Sequence, residues 1–180
     1  TGRSAAGKGL GDIFPHLSDI DIVVSTELTQ DVELVFSALP HSASASAIEP
    51  LLARGVKVID MSADFRFKSL ESYSEWYGDG HPCPQYIKEA IYGLPEIYRD
   101  RIATSNLVGN PGCYPTASVL ALAPALRAGI IEPDIIVDAK SGVSGAGRGL
   151  SLKLHFCEAN ESVSAYGLEG HRHSPEIAQE

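Results

Sequence analysis

The sequence has 180 residues, a length that suits one compact domain, or one domain and part of another. Its formal net charge of −9 argues against a nucleic-acid-binding protein, and its 44% of hydrophobic residues argue against wholesale disorder. The lack of a long apolar run, the small polar residues at the start and the odd cysteine count predict no membrane helix, no signal peptide and no disulfide framework. We therefore expect a cytoplasmic protein with reduced cysteines.

The first half of the chain alternates strand-like and helix-like segments. Short apolar runs predict strands at 21–25, 31–40 and 56–62, and the alanine-rich segment 45–54 predicts a helix that stops at Gly55. Strand, helix and strand with short connections form the βαβ pattern, and near-continuous apolar strands are typical of a parallel sheet covered on both faces. The predicted fold class is therefore α/β, with a doubly wound parallel sheet.

The middle of the chain changes character, because residues 73–98 are rich in aromatic residues and proline. We expect this segment to be ordered but irregular, with at most a short helix at 84–90. Residues 104–110 predict a further short strand.

The last third begins with an alanine- and leucine-rich segment at 116–128, which predicts a helix that Pro124 kinks and Gly129 ends. Residues 134–142 predict another strand, which runs into a loop with several glycines. Because the pattern after 129–133 suggests a different sheet, we expect the domain to change there.

The segment NPGCYPT, residues 110–116, is the most informative stretch of the chain. A predicted strand enters it and a predicted helix leaves it, and Pro115 suits the first helical position. Cys113 would face the helix N-terminus, whose unpaired N–H groups and dipole stabilise a thiolate over a thiol. Cys113 is thus a candidate nucleophile, although a small buried residue in a tight turn explains the local sequence equally well.

The other cysteines give weaker signals. Cys83 lies between prolines in a predicted loop with no helix start beside it, and Cys157 lies in a segment that suits a strand or a helix, so we expect both to be structural. The cysteines and histidines lack the paired spacings of a zinc site, and the sequence therefore predicts no metal.

The segment GHRHSPE, residues 170–176, holds two histidines on either side of Arg172. Helix-start signals follow at Ser174 (N-cap), Pro175 (first helical residue) and Glu176 (first-turn acid). His171 and His173 are candidate acid–base groups, and Arg172 could bind a carboxylate or phosphate. A solvated polar loop is the alternative, but covalent catalysis by Cys113 would need such a base.

Two further segments are candidate ligand contacts. In residues 140–148, glycines let backbone N–H groups approach an anion and Arg148 adds charge, although a flexible connection is equally compatible. Asp64 and Arg66 follow a strand end, where ligands bind in open α/β sheets, and a salt bridge between the two is the alternative. The same argument makes the segment 39–41 a possible cofactor contact.

Taken together, these motifs resemble the N-acetyl-γ-glutamyl-phosphate reductase family, and the resemblance spans nearly the whole chain. The motifs that carry it are GRSAAGK at 2–8, ALPH at 38–41, MSADFR at 61–66, YGLPE at 92–96, NPGCYPT at 110–116, SGVSGAGR at 141–148 and HRHSPEI at 171–177. Several such motifs in the family's order make the match specific.

The resemblance implies a cytoplasmic, NADPH-dependent acyl-phosphate reductase of arginine biosynthesis. Residues 1–112 would belong to an incomplete Rossmann-like NADP-binding domain, whose first strand and phosphate loop would lie upstream, and residues 113–180 would begin an α+β catalytic and dimerisation domain. The complete enzyme would act as a homo-oligomer, a dimer or tetramer, on a small acyl phosphate, without nucleic acid or membrane. Activity is expected of that complete enzyme and not of these 180 residues alone.

The resemblance also implies a mechanism. Cys113 would attack the γ-acyl phosphate, expel phosphate and form a thioester, which hydride from NADPH would convert to a thiohemiacetal that collapses to the semialdehyde. One of the two histidines, with His173 favoured over His171, would serve as acid–base. Backbone N–H groups at the Cys113 turn would stabilise the oxyanion.

The remaining candidate site residues are contacts of cofactor or substrate. The cofactor contacts are Arg3, Ser4, Pro40, His41, Ser141, Gly142, Ser144 and Gly145. The substrate contacts are Asp64, Arg66, Asn110, Arg148 and Arg172. Because no acid lies at 2–4, where one would mark NAD, Arg3 and Ser4 are expected to contact the 2′-phosphate of NADPH.

Three alternatives remain open from the sequence. An aspartate-semialdehyde dehydrogenase would use the same chemistry on another acyl phosphate. A hydrolase with a cysteine and a histidine would need the same side chains without nicotinamide. A non-catalytic interaction fragment is the third, and it leaves the joint presence of Cys113, the HRH triplet and the glycine loop unexplained.

Overall fold

The computed structural model describes residues 3–78 and 80–180, apart from the side chain of Arg3. The chain divides into two compact units, Thr1–Glu33 and Leu34–Glu180, which we describe separately. Within the described residues, none of the helices has both the length and the apolar character that crossing a bilayer requires.

The first unit consists of short turns of helix. It contains 3-10 helices at Arg3–Ala5 and Pro15–Leu17 and one helical turn, α1 (Leu10–Ile13). The predicted strand at 21–25 is wrong, since this segment forms only an isolated antiparallel bridge between Gly9 and Val23. The reason is that α1 begins directly after Gly9, so the segment opposite Val23 is helical and cannot continue as a paired strand.

The second unit is built on a parallel sheet of four strands. These are β1 (Leu34–Ser37), β2 (Lys57–Asp60), β3 (Ile91–Tyr92) and β4 (Leu107–Gly109), in the spatial order β1-β2-β4-β3. Leu34 pairs with Lys57, and Val58 with Leu107, so the register follows the predicted apolar runs. The parallel sheet with helices confirms the predicted α/β class.

Six α-helices lie among the described residues of this unit. They are α2 (Ala43–Ala53), α3 (Leu70–Tyr77), α4 (Pro95–Ala103), α5 (Cys113–Arg127), α6 (Phe156–Ala159) and α7 (Ser174–Gln179). The helix predicted at 45–54 is confirmed as α2, and Gly55 follows it with a φ of +78°, a conformation that glycine adopts without strain.

The prediction that 73–98 is irregular is wrong in part. α3 extends to Tyr77, and the Ser69 hydroxyl caps its first turn by accepting the N–H of Ser72 at 3.4 Å. Strand β3 and the start of α4 also lie within the segment. The short helix expected at 84–90 is a single 3-10 turn, Pro84–Tyr86.

Two predictions for the last third also need correction. The helix predicted from 116 begins at Cys113, so Pro115 is its third residue, still in the first turn where a missing N–H costs nothing. The strand predicted at 134–142 is not formed among the described residues, and Ile136 is 96% exposed. An isolated extended segment has no neighbouring strand to satisfy its backbone N–H and C=O groups, so it forms no ladder.

The core lies between α2 and the sheet. Its buried members are Ala45, Ile48, Val58, Phe65, Cys83 and Leu107. Full burial of a side chain such as Phe65 contributes about 1.5–3 kcal/mol. This packing fixes the ends of the strands, from which the candidate site is built.

Candidate active site

Four of the sequence motifs meet at one edge of the sheet. In a parallel sheet all carboxyl ends lie at the same edge, which is where open α/β sheets bind ligands. ALPH follows β1, MSADFR follows β2, YGLPE begins in β3, and NPGCYPT follows β4. The fold therefore gathers segments that are far apart in the chain.

Cys113 lies at this edge as the first residue of α5. Its thiol is free and exposed, and it follows the end of β4 by four residues. The predicted strand-to-helix turn is thus present, and a nucleophile at this position would face the N–H groups that begin a helix of 15 residues.

His173 packs against the residue that precedes Cys113. A Cβ built on Gly112 would lie 2.6 Å from His173 Nε2, so only glycine allows the imidazole to approach this closely. His173 is 8% exposed and is the residue before α7. The structure therefore brings together the cysteine turn and the histidine that the sequence favoured as the base.

Burial controls the protonation of His173. Burial, and then the positive charges of His171, Arg66 and Arg172, together lower the pKa of the imidazole to about 4. Nδ1 is buried and has no hydrogen-bond partner within the described part of the chain. The ring is therefore neutral at neutral pH and able to accept a proton.

His171 has a different environment. Its Nδ1 accepts the backbone N–H of His173 at 3.1 Å, and the two ring centroids are 4.8 Å apart. Tyr114 packs edge-on against both rings, and its hydroxyl is hydrogen-bonded to that of Tyr166. Burial, followed by the charge of Arg172, lowers the pKa of His171. This arrangement suits a group that holds His173 in place.

Glu176 is the main site residue that the sequence analysis missed. Its carboxylate is fully buried, and Oε1 accepts both the N–H of Gly112 at 2.8 Å and the hydroxyl of Tyr92 at 2.7 Å. Arg66 Nη1 lies 3.5 Å from Oε2. The sequence showed an acid in the first turn of α7 but no local sign of its partners, since Tyr92 is 84 residues away along the chain.

Arg66 supports the same turn. Nε donates to the carbonyl oxygen of Asn110 at 2.7 Å, and Nη2 donates to that of Met61 at 2.9 Å. The salt bridge considered between Arg66 and Asp64 is replaced by the ion pair with Glu176. The substrate-binding roles of Arg66 and Asn110 stay predictions.

The carboxylate of Asp64 accepts hydrogen bonds from backbone N–H groups at the start of α2. Its carboxylate oxygens accept the N–H groups of Ser42 at 2.7 Å and Ala45 at 2.8 Å, and the hydroxyl of Tyr73 at 2.9 Å. These contacts satisfy orphan N–H groups at a helix N-terminus. A contact with substrate is a prediction that these bonds neither require nor exclude.

The predicted cofactor contacts occupy exposed segments. Ser141, Gly142, Ser144 and Gly145 lie in or beside a 3-10 turn, Val143–Ala146, whose Gly145 N–H donates to the carbonyl of Gly142 at 3.0 Å. Pro40, His41, Arg148 and Arg172 are exposed as well. Ser4 is exposed in the first unit, and the side chain of Arg3 lies outside the described residues.

The other two cysteines differ from each other. Cys83 is buried, as expected of a structural residue, and its thiol donates to the carbonyl of Ala45 at 3.5 Å. Burial raises its pKa to about 11, so it is a poor nucleophile at neutral pH. Cys83 does precede a helical turn, contrary to expectation. Cys157, also expected to be structural, is exposed in α6.

Comparisons with known proteins identify the family. A family model described as semialdehyde dehydrogenase, NAD binding domain, matches residues 1–105, and one described as semialdehyde dehydrogenase, dimerisation domain, matches residues 113–180. The chain belongs to the semialdehyde dehydrogenase family. The NAD-binding description indicates a nicotinamide cofactor for this semialdehyde dehydrogenase segment, and the second description points to oligomerisation.

Several curated relatives carry the name N-acetyl-gamma-glutamyl-phosphate reductase. The protein from Dehalococcoides mccartyi strain 195 is 54% identical over 180 residues, which are 100% of this chain and 53% of the relative. The protein from Symbiobacterium thermophilum is 49% identical (98% and 53% covered), and that from Psychrobacter sp. is 47% identical (99% and 54%). The resemblance stated from the motifs is confirmed. The chain spans about half the length of the curated relatives it matches.

The carboxyl edge of this semialdehyde dehydrogenase sheet fits a nicotinamide cofactor. His41 is exposed four residues after the end of β1, with its ring edge-on to Tyr77 at 5.3 Å, and Pro40 precedes it. This is the crevice in which open parallel sheets bind dinucleotides. Within residues 3–78 and 80–180, no group of three or more His, Cys, Asp or Glu side chains is placed to hold a metal ion.

Proposed function

We propose that the complete protein, in the length of its relatives, reduces N-acetyl-γ-glutamyl phosphate to N-acetylglutamate 5-semialdehyde and phosphate, as a step of arginine biosynthesis. The observation that carries this proposal is the buried, neutral imidazole of His173 against Gly112, the residue that precedes the exposed Cys113. The names of the relatives support the choice of acyl phosphate. Residues 1–112 and 113–180 would serve as cofactor-binding and catalytic parts of a cytoplasmic homo-oligomer.

The reaction would begin at Cys113. The thiol proton passes to His173, the sulfur attacks the γ-carbonyl carbon, and the carbon–oxygen bond to phosphate breaks to leave a thioester. Because Glu176 occupies the N–H of Gly112, the N–H groups of Cys113 and Tyr114 are the candidate donors to the oxyanion. Arg66 and Arg172 are the cations that would attract the phosphate.

NADPH, when bound, would supply the hydride that reduces the thioester. The residues that would hold it are Arg3, Ser4, Pro40, His41, Ser141, Gly142, Ser144 and Gly145. The resulting oxyanion would take the proton that His173 received in the first step, which gives the thiohemiacetal on Cys113. His173 would then remove this hydroxyl proton as the carbon–sulfur bond breaks and pass it to the departing sulfur, which releases the aldehyde and restores the thiol.

The substrate assignment is tested by the consumption of NADPH, followed by absorbance, with the complete enzyme. We expect oxidation with N-acetyl-γ-glutamyl phosphate and none with aspartyl phosphate. The reverse preference would identify an aspartate-semialdehyde dehydrogenase. Hydrolysis of an amide or thioester without any use of nicotinamide would instead identify a hydrolase that uses Cys113 and His173.

The cofactor preference is a separate prediction. We expect the complete enzyme to prefer NADPH to NADH, and the double variant Arg3→Ala, Ser4→Ala to lower that preference at least about tenfold, because charge-assisted hydrogen bonds to the 2′-phosphate are lost. The measurement is kcat/KM for both cofactors, with KM for the acyl phosphate as the internal control. Equal kinetics with both cofactors before mutation would contradict the assignment.

The pH dependence follows from His173. If the base had the ordinary imidazole pKa of 6.5, it would be protonated and the enzyme would lose activity as the pH falls through that value. The environment of His173, above all its burial, lowers its pKa to about 4. The neutral, active form therefore persists as the pH falls below 6.5 and is lost only on approach to about 4. We expect the acid limb of kcat/KM in this lower range.

Arg172→Gln provides a check on the cause, because it removes one positive charge that lowers the pKa of His173. The acid limb should then move to higher pH. Recovery of the full rate after return to neutral pH separates titration from acid unfolding. An acid limb near 6.5 in the unmutated enzyme would contradict the buried state of the base.

A further inference from the structure

Tyr92 occupies an unexpected position beside the cysteine turn. It is the last residue of β3, pairs with Gly109 of β4, and is 5% exposed. Its hydroxyl donates to Glu176 Oε1 at 2.7 Å. Burial, and then the neighbouring charge of Glu176, raise the pKa of this hydroxyl, so it keeps its proton and acts as a permanent donor.

The bond from Tyr92 ends on an atom with a second role. Glu176 Oε1 also accepts the N–H of Gly112 at 2.8 Å, so one oxygen joins the end of β3 to the residue before Cys113. Glu176 belongs to the first turn of α7, three residues after His173. This carboxylate therefore links the residue before Cys113 to the helix that directly follows His173.

The other charged and titratable groups around Glu176 do not replace this contact. Arg66 approaches the opposite oxygen, Oε2, at the longer distance of 3.5 Å. Glu180, the residue directly after α7, has its own partners, namely the hydroxyl of Tyr98 at 2.6 Å and Lys68 Nζ at 2.9 Å. His173 makes no hydrogen bond to Oε1 among the described contacts, and its Nδ1 has no partner there.

We propose that Tyr92 is a positioning residue for the reductase reaction, acting through Glu176 to hold the N–H of Gly112 and thus the distance between Cys113 and His173. The proposal rests on the proposed function and extends it to a residue outside the two catalytic motifs. Thiol attack needs reacting groups within hydrogen-bond reach, so a small displacement of the turn slows chemistry more than it weakens substrate binding.

Tyr92→Phe in the complete enzyme tests this proposal, since it removes only the hydroxyl. We expect kcat to fall about tenfold, the value of one hydrogen bond to a buried carboxylate, while KM for the acyl phosphate changes by less than about twofold. Hydrogen–deuterium exchange at the Gly112 amide should be about tenfold faster, because its acceptor is less well held.

Tyr98→Phe is the matched control. It removes the same kind of bond, a tyrosine hydroxyl to a carboxylate, here that of Glu180, which lies four residues after Glu176 and directly follows α7. We expect a similar loss of thermal stability in both variants, but unchanged kcat and unchanged exchange at Gly112 for Tyr98→Phe.

The possible failures are distinguishable. Unchanged exchange at Gly112 in Tyr92→Phe would overturn the positioning role whatever the enzyme reduces. Faster exchange with unchanged kcat, or an equal loss of kcat in both variants, would show that Tyr92 is merely structural and would also overturn it. Failure of the unmutated enzyme to oxidise NADPH with the acyl phosphate would overturn the proposed function, and the exchange result would still decide whether Tyr92 holds the turn.

Discussion

Cys113→Ser should abolish the reduction of the acyl phosphate, with kcat lowered by at least about 10⁴-fold. A serine hydroxyl has nearly the shape of the thiol, but it is a far weaker nucleophile at neutral pH and forms an ester in place of the thioester. The variant should fold normally, because Cys113 is exposed and its side chain is not part of the core. The measurement is steady-state NADPH oxidation by the complete enzyme, with circular dichroism to verify the fold.

Cys157→Ser is the matched control, since Cys157 is also free and exposed. It should keep full activity, because it is the second residue of a helix of only four residues and lies outside the proposed machinery. Iodoacetamide should label Cys113 fastest and inactivate the enzyme in step with that labelling, while Cys83 should react slowest because burial raises its pKa to about 11. Near-normal turnover by Cys113→Ser would disprove the nucleophile assignment.

His173→Asn should slow the chemical step about 10²–10⁴-fold, the usual contribution of general acid–base catalysis. The imidazole lies against Gly112, the residue before Cys113, and burial keeps it neutral, so it is suited to take the thiol proton. His171→Asn should mainly change substrate affinity, because His171 uses Nδ1 to hold the backbone of His173. Pre-steady-state formation of the thioester in the complete enzyme separates the two effects.

The opposite result has a clear meaning. If His171→Asn lost the chemical step while His173→Asn changed only KM, the two roles would have to be exchanged. If neither variant slowed thioester formation, the HRH triplet would be a structural loop and the base would have to lie outside residues 171–173. The comparison is internally controlled, since both variants change the same atoms in neighbouring residues.

Local sequence determined much of the second unit. The apolar runs at 31–40 and 56–62, the helix that ends before Gly55 and the turn at NPGC all appear where the patterns predicted them. These features depend on interactions between neighbours in the chain: apolar periodicity, helix stop signals and the conformational freedom of glycine. Cys113 at a helix start is a property of this kind.

Segments whose structure depends on a partner were predicted less well. The runs at 21–25 and 134–142 have the composition of strands, yet no ladder forms at either within the described residues. A strand is stable only when an adjacent strand satisfies its N–H and C=O groups, and composition does not show whether one is available. The aromatic composition of 73–98 suggested an irregular segment, but its first residues continue the helix α3, which is capped by Ser69.

The candidate active site also combines features that the sequence predicts with features that depend on tertiary contacts. From the sequence came the residue types, Cys113 in one motif and His171 and His173 in another, and the expectation that each motif lies at the start of a helix. Only the tertiary structure decided that His173 packs on Gly112, that burial is the main cause of its lowered pKa, and that Glu176 joins Tyr92 to the cysteine turn. Desolvation and long-range hydrogen bonds depend on which segments meet in space, and residues that meet across 84 positions leave no trace in a local pattern.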